Sequence, residues 1–373
     1  MISKKVLFIA SVAVHLHAFH RPYLKWFYEQ GYEVHVACRG SFSDPNVSKV
    51  WDIKFERSPL SLSHLSSLFE LRKIINENNY SLITCHTPMA SVLSRLASVE
   101  ARKKGTQLIY TAHGFHFFKG GSKWSWLTYY PVEVTMSYLT DAIVCINQED
   151  LDIISQKGSS STDYYLIPGI GVDPRRFEPP SQEQKMSLRE SFEINEDTFV
   201  MIYVAEFIER KNHRLLIDAI KLLSSRMDNF VVLLAGRGVL LKEIKQYVLD
   251  NSLDKQVRFL GFVNDVEKYY QVSDVALSAS RQEGLGINLV EAMMCGVPVI
   301  ATIDRGHCTV IDHEDNGILV PQNDPKALSD AIYKMYDDQE FRYRMSVEAI
   351  KKAAKFEIKN SLKTMSKIYN NFL

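Results

Sequence analysis

The chain carries no excess charge of either sign. Its 44 Lys and Arg residues are matched by 44 Asp and Glu, which excludes a global field drawing it to nucleic acid and leaves any basic surface local. Cysteine is scarce: an odd five (Cys38, Cys85, Cys145, Cys295 and Cys308), scattered and without a C-x-x-C pair. Most of them sit in apolar strand-like runs, where a thiol behaves as a small hydrophobe. A disulfide framework is therefore excluded and a reducing, cytoplasmic compartment is expected. No apolar run approaches the ~18 residues that a membrane-spanning helix needs. The run Val6 to Val14 behind Lys4-Lys5 has the look of a secretory leader, but His15, His17, His20 and Arg21 follow at once with no small-residue cleavage site. A first buried β-strand is the better reading. Low-complexity segments and short repeats are absent as well.

What the chain has is length and alternation. Its 373 residues suit two domains of common size, and 46% hydrophobic residues suffice for two cores. Short apolar runs alternate with longer amphipathic ones, the pattern of βα units and parallel sheets. Strands are expected at Val6–Ala10, Glu33–Ala37, Leu82–Cys85, Leu108–Thr111, Ala142–Ile146 and Tyr164–Ile167, with helices such as Leu62–Asn76 and Ala90–Lys104 between them. Residues 168–197 hold Pro168, Gly169, Gly171, Pro174, Pro179 and Pro180 among charges, which reads as linker chemistry. The alternation then restarts with strands Thr198–Ala205, Phe230–Ala235, Val257–Leu260, Val275–Ser280 and Pro298–Ala301, and helices Lys211–Arg226, Leu240–Leu249, Val266–Val272 and Ile287–Cys295. The expected organisation is a first Rossmann-like domain over 1–172, a linker over 173–197 and a second Rossmann-like domain over 198–354. A C-terminal helix over 355–373, with Ile358, Leu362, Met365 and Tyr369 on one face, would pack back on the first domain. Two doubly wound sheets facing each other make a cleft, and ligands of such sheets bind at the carboxyl ends of the strands.

The most informative stretch is SASRQEGLGINLVEAMMCGVP, residues 278–298. It reads as strand, loop, helix, turn and strand. Glu283 falls in the loop at the strand's carboxyl end, and Gly284 and Gly286 let backbone N–H groups approach a ligand. The helix from Ile287 aims its N-terminus at the same place, which favours a phosphate. Within that helix Asn288 and Glu291 alone are polar, so Glu291 is a carboxylate in a buried setting and needs a partner. A structural ion pair with an Arg or Lys is one reading of Glu291. Ligand binding is the other, favoured by the glycine loop, the helix N-terminus and two glutamates with seven residues between them.

Glu283-(seven residues)-Glu291 followed by Cys295-Gly296-Val297-Pro298-Val299-Ile300-Ala301 resembles the ExxxxxxxE pattern of retaining glycosyltransferases of family 4, which have the GT-B fold. The resemblance extends over about the whole chain. Lys211-Asn212-His213 is similar to that family's phosphate-binding segment, Ala235-Gly236-Arg237-Gly238 to its glycine turn, and Phe259-Leu260-Gly261-Phe262-Val263 to the segment lining the donor base. Asn316-Gly317-Ile318-Leu319-Val320, Ile167-Pro168-Gly169-Ile170-Gly171-Val172-Asp173, Thr111-Ala112-His113-Gly114 and Thr140-Asp141-Ala142-Ile143 match further motifs in order. The texture is nearest to bacterial capsule and exopolysaccharide members.

The resemblance implies an α/β GT-B fold and retaining transfer of a sugar from a UDP-sugar, an N-acetylhexosamine or a deoxy relative, to a polyprenyl-diphosphate-linked saccharide. It implies catalytic roles for Glu283, His113 and Lys211. Glu291 would hold the donor ribose and Glu283 the sugar hydroxyls. Lys211 with Arg210 would neutralise the diphosphate. Gly284, Leu285, Gly286, Phe262, Val263, Gly236 and Gly306 would complete the donor site, and the amides of Arg305-Gly306-His307 an anion pocket. His17, His20 and Lys119 are the candidates for acceptor contact. The chain departs from the family at Ala205-Glu206, where Gly-Arg is common, at Thr309, where a Glu is common, and in the first loop, which lacks the usual glycine pair.

No metal or other cofactor is expected. Asp150-Leu151-Asp152 formally matches a metal-binding DxD but opens an amphipathic helix, as an acidic first turn does. His15, His17 and His20, spaced i, i+2 and i+5 with no carboxylate or Cys nearby, are weak as a ligand set. Residues 115–130 interleave seven aromatics with Lys119 and Lys123. A packed loop and helix is one reading and peripheral contact with the inner face of a plasma membrane the other. A nucleic-acid platform would need a wider basic field. Two other functions fit the same elements: a non-hydrolysing nucleotide-sugar epimerase, which needs a further acid/base pair on the sugar ring, and a catalytically silent nucleotide-sugar-binding protein, which would not need both Glu283 and His113. An NAD enzyme is disfavoured because neither half opens with GxGxxG and a distant acidic residue.

Overall fold

The central strand runs become parallel sheets because they are apolar on both faces; Val6 to Ala10, for instance, are wholly buried. The computed structural model describes residues 4–56, 58 and 61–373, and in it the chain forms two compact units, Met1–Gly171 with Ile358–Leu373, and Val172–Glu357.

The first unit holds β1 (Lys5–Val12), β2 (Glu33–Arg39), β3 (Lys49–Asp52), β4 (Leu82–His86), β5 (Gln107–Ala112), β6 (Ala142–Cys145) and β7 (Asp163–Leu166) in one parallel sheet of order β3-β2-β1-β4-β5-β6-β7. Its core joins Leu7, Ile9, Ile83, Cys85, Leu108, Tyr110 and Ile143 to Leu71, Ile74 and Ile75 of the helix Ser63–Asn78. The helix Ile358–Asn370 belongs to this unit. It buries Ser361, Met365, Ile368 and Tyr369, the last against the rings of Phe27 and Trp26.

The second unit holds β8 (Phe199–Val204), β9 (Phe230–Ala235), β10 (Val257–Gly261), β11 (Val275–Ser278), β12 (Val299–Thr302) and β13 (Gly317–Val320) in a parallel sheet of order β10-β9-β8-β11-β12-β13. Residues 172–197 lie in this unit and include the helix Gln182–Ser191, whose Ser181 and Gln184 form a reciprocal cap.

Both sheets reverse their winding once, between β1 and β4 and between β8 and β11. Doubly wound sheets bind ligands at the carboxyl ends of the strands at that switch point, so the strand order alone nominates one place in each unit.

Several expected elements differ in detail. β3 and β13 are strands beyond those expected; both stand at sheet edges, and β3 is mostly exposed and so lacks the apolar run that marks a buried strand. The helix expected over Ala90–Lys104 breaks at Ser98 into Pro88–Ala97 and Val99–Lys103. Lys211 does not begin a helix: it closes a 3-10 turn, Glu209–Lys211, and Asn212 turns left-handed at φ 49° before the helix His213–Leu223.

Candidate active site

The switch point of the second unit is where the sequence motifs converge. The loop after β8 carries Arg210 and Lys211, and the loop after β11 carries Glu283. They are tied together below the side chains. Arg281 N donates to Arg210 O at 2.8 Å, and the buried Tyr203 hydroxyl donates to Lys211 O at 2.7 Å while lying 3.0 Å from the Ser280 hydroxyl. Thr302 at the end of β12 holds Ser280 O at 2.6 Å. On this base Lys211 Nζ bonds Glu283 Oε1, and Arg210 reaches Glu283 Oε2 at 3.3 Å and Gln282 O at 2.8 Å.

Glu283 is only 7% exposed. Burial opposes its charge, but Lys211, then Arg210 and His307, outweigh that and bring the carboxyl from 4.5 down to about 2. At neutral pH it is a fixed anion between two cations.

Glu291 lies on the helix Ile287–Met294, which starts from Gly286 at φ +85° and is tied to the end of β8 by Asn288 Nδ2 on Val204 O at 3.2 Å. Of the two readings of Glu291, the structural ion pair with an Arg or Lys is not found among the described residues; Glu291 is half-buried and accepts from the Tyr270 hydroxyl at 3.3 Å. Burial pushes its carboxyl up to about 7, against the nearby charge of Arg176 and the Tyr270 bond, with Glu267 adding to the rise. The two glutamates of one motif thus have opposite electrostatics, one held ionised and the other readily neutralised.

Gly306 packs directly on the loop. A Cβ there would stand 2.9 Å from Glu283 Cβ, Glu283 O and Leu285 N. The expectation of an amide pocket at 305–307 needs correction: Gly306 N donates to Asp304 Oδ1 at 2.8 Å and His307 N to the same oxygen at 3.4 Å. Asp304 caps this short helix, so those two amides are already used. Gly306→Ala is expected to displace the loop, at a cost of about 1–3 kcal/mol. Urea unfolding together with a transfer assay should show both stability and rate reduced, and a variant normal in both would mean the loop yields freely.

His307 was not foreseen as a side chain of interest. Its Nδ1 meets Thr302 O at 2.7 Å, and its ring lies against Gly286, where a Cβ would stand 3.1 Å from Cδ2. Gly284 and Leu285 complete the loop, Leu285 being buried. Beside it, Gly236 lets the end of β9 approach β8, since a Cβ would meet Ala205 O at 1.9 Å. Phe262 is exposed, with the Arg237 guanidinium 4.8 Å from its ring centre, and Val263 is half-buried.

In the first unit the switch point gathers histidines. His15 and His20 follow β1, His86 ends β4 and His113 follows β5. His113 Nε2 is 3.4 Å from His86 Nδ1, and ring centres are 4.7 Å apart for His15 and His113 and 3.9 Å for His20 and His86. Burial holds all four neutral: His15 falls to about 4, and His20, His86 and His113 fall well below the ordinary value, with neighbouring imidazoles adding to the effect in those three. His17 is not part of the group. It contacts Arg21 at 3.0 Å and the Phe42 ring at 4.4 Å between centres. Lys119 is exposed, and its backbone N donates to Glu149 at 2.8 Å.

The aromatic segment divides. Phe115 and Phe117 are buried in the core, with Trp126 and Tyr130 packed on them, while Trp124 is 74% and Leu127 67% exposed on the helix Lys123–Ser137. Asp150 of the DxD-like pair is buried and accepts from Phe115 N at 3.1 Å and Asn147 Nδ2 at 2.9 Å, a structural use. Among the described residues no helix is long and apolar enough to cross a membrane.

Residues 184–352 match the family described as Glycosyl transferases group 1, and residues 5–147 that described as Glycosyl transferase 4-like. EpsD of Bacillus subtilis (strain 168), a glycosyltransferase by name, is 38% identical over 373 residues, covering 100% of this chain and 97% of that protein. The chain belongs to this glycosyltransferase family. A second relative of the glycosyltransferase, the UDP-Gal:alpha-D-GlcNAc-diphosphoundecaprenol alpha-1,3-galactosyltransferase of Escherichia coli, is 26% identical over 319 residues, 83% of this chain and 81% of that one. Among solved structures, Anabaena Alr3699/HepE in complex with UDP and glucose gives a TM-score of 0.82 at 21% identity, covering 98% of this chain and 99% of the other. WaaG, a glycosyltransferase involved in lipopolysaccharide biosynthesis, gives 0.76 at 15%, covering 97% and 99%. These likenesses show the fold, and the GT-B class that the sequence motifs implied is the one found.

Proposed function

We propose that this glycosyltransferase moves a hexose or N-acetylhexosamine from a UDP-sugar to a polyprenyl-diphosphate-linked saccharide, with retention at the anomeric carbon, during assembly of a cell-surface polysaccharide. The observation that carries this reading is the Lys211–Glu283–Arg210 cluster at the carboxyl ends of β8 and β11. The printed activity of the Escherichia coli relative supports the donor and acceptor classes, and the UDP and glucose bound by HepE support the donor.

The bond between the sugar's anomeric carbon and the diphosphate oxygen breaks, and its electron pair goes to the leaving UDP. The acceptor oxygen bonds that carbon on the same face, and its proton passes to the departing phosphate. Lys211 and Arg210 neutralise the charge that grows on the diphosphate, the kind of electrostatic contribution that usually dominates. Glu283, ionised between them, faces the transferring sugar as the ring becomes cationic. Glu291 anchors the ribose. His113, uncharged, is assigned to the sugar, and His20 and Lys119 to the acceptor. Trp124 and Leu127, with Lys119 and Lys123 nearby in sequence, give the peripheral contact with the cytoplasmic face of a membrane where a lipid-linked acceptor resides.

The protein's own cations do the work of a metal in this scheme, so transfer is expected to survive EDTA. Complete loss restored by Mg²⁺ or Mn²⁺ would overturn it. The stereochemical part is tested by NMR of the product made from a UDP-sugar and a polyprenyl-diphosphate saccharide: the anomeric coupling should be that of the donor, and an inverted product would contradict the scheme.

A further inference from the structure

Buried histidines elsewhere keep one ring nitrogen bonded, as His64 Nε2 does to Ser58 O at 2.8 Å and His307 Nδ1 to Thr302 O at 2.7 Å, each with its other nitrogen unpaired among the described residues, or keep both bonded. His35 Nδ1 meets the Tyr80 hydroxyl at 2.7 Å and its Nε2 meets Glu33 at 2.8 Å. The histidines at the switch point of the first unit differ. His15 Nε2 and His20 Nε2 are buried without a hydrogen-bond partner among the described residues. A buried polar atom left unpaired is destabilising, so two of them side by side call for a ligand. His213 also lacks partners, but it stacks alone on Phe207 with ring centres 4.1 Å apart and has no second imidazole beside it. At the switch point, one nitrogen each from His15, His20 and His113 lie within 4.8 Å of one another.

We propose that His15, His20 and His113 form a binding site for a divalent transition cation of the Zn²⁺ class. Three converging neutral imidazoles with no carboxylate among them do not suit Mg²⁺ or Ca²⁺, which take oxygen ligands, and cannot attract a phosphate, which needs positive charge or N–H donors in number. They match the nitrogen ligands of Zn²⁺, Co²⁺, Ni²⁺ or Cu²⁺, bound at about 2.0–2.1 Å for Zn²⁺. His86, with Nδ1 3.4 Å from His113 Nε2, is the positioning residue, fixing the ring of His113 as an outer-shell partner does. Three protein ligands leave a fourth position for water or a substrate oxygen. Spacing along the chain hid this set, since His113 comes from β5 and His17, the middle member of the sequence cluster, turns away to Arg21.

The site shares His113 and His20 with the sugar and acceptor contacts proposed above, so its test reads ion binding rather than activity. The full-length protein without a histidine tag, stripped by chelator and dialysed, is titrated with Zn²⁺ by calorimetry and with Co²⁺ by visible absorption. The expected result is one ion per chain, a Co²⁺ d–d band of a nitrogen-ligated, low-coordinate site, and displacement of that band by Zn²⁺. His15→Gln and His20→Gln should each weaken Zn²⁺ by at least roughly tenfold and His86→Gln by about 10–100-fold. His313→Gln, in the second unit, should leave it unchanged. Absence of stoichiometric uptake by the native chain overturns the proposal whatever the variants do. Uptake unchanged in a folded His15→Gln/His20→Gln double variant overturns it equally.

Discussion

Lys211→Ala is expected to lower kcat by roughly 10²-fold or more while donor affinity changes much less. The reason is where the positive charge is placed. Lys211 is held from below by Tyr203 on its carbonyl, and its ammonium already faces a buried carboxylate. Little reorganisation is then needed when charge moves from the sugar–phosphate bond onto the diphosphate. Removing the ammonium takes away the strongest of the charges that hold Glu283 ionised and leaves Arg210 at 3.3 Å, so its carboxyl should also rise and the loop lose part of its hold. Steady-state kinetics over a range of UDP-sugar concentrations separates the two quantities. Near-normal turnover with a raised KM would show that Lys211 only anchors the ground state.

The two glutamates should fail in different ways. Glu291→Gln keeps the side-chain volume but would lose the charge-assisted hydrogen bonds of the ribose contact proposed for it, about 1.5–3 kcal/mol each. It should therefore weaken UDP itself, with no sugar attached, by roughly 10–150-fold. Since burial sets the Glu291 carboxyl at about 7 in the unliganded protein, the sign of the pH effect follows. The neutral form is favoured on folding, and the stability tied to it is lost as pH rises through about 7. The carboxylate that holds ribose hydroxyls best appears over the same interval. UDP affinity should thus rise with pH through neutrality, and the Gln variant should lose that dependence. Glu283 is ionised down to about 2, so no such dependence arises from it. Glu283→Gln should leave UDP binding nearly unchanged and lower turnover of the intact UDP-sugar by roughly 10²-fold. Calorimetry with UDP beside a transfer assay decides it. Equal losses of UDP affinity would mean that Glu283 is misassigned, and reversed losses that the pair is exchanged.

The fold was legible because its information is local. Parallel strands buried on both faces are continuous apolar runs, and Phe230–Ala235 and Val266–Val272 carry the expected bounds. The strand, glycine loop and helix around Glu283 and Glu291 were legible for the same reason, since they lie within one βαβ segment. What escaped depends on contacts distant in sequence. Nothing near Glu283 in the chain announces its bond to Lys211, 72 residues away. Asp304, whose side chain takes the amides of Gly306 and His307, is likewise visible as a cap only in the structure. The signal for His86 was present, a histidine at the carboxyl end of a strand, but only the strand order β1-β4-β5 brings it to His20 and His113.

The central claim is that the second unit is built to hold a uridine diphosphate sugar. It is tested most directly by the thermal unfolding of the native chain in a panel of UDP-, GDP-, ADP- and dTDP-sugars, with the free nucleotides alongside. A ligand that binds the folded state at 100 times its Kd adds about 2.7 kcal/mol, enough to shift the transition visibly. The account predicts that UDP and one or a few UDP-sugars raise the unfolding temperature while the other nucleotides do not. Protection by a different nucleotide series, or by none, would contradict it.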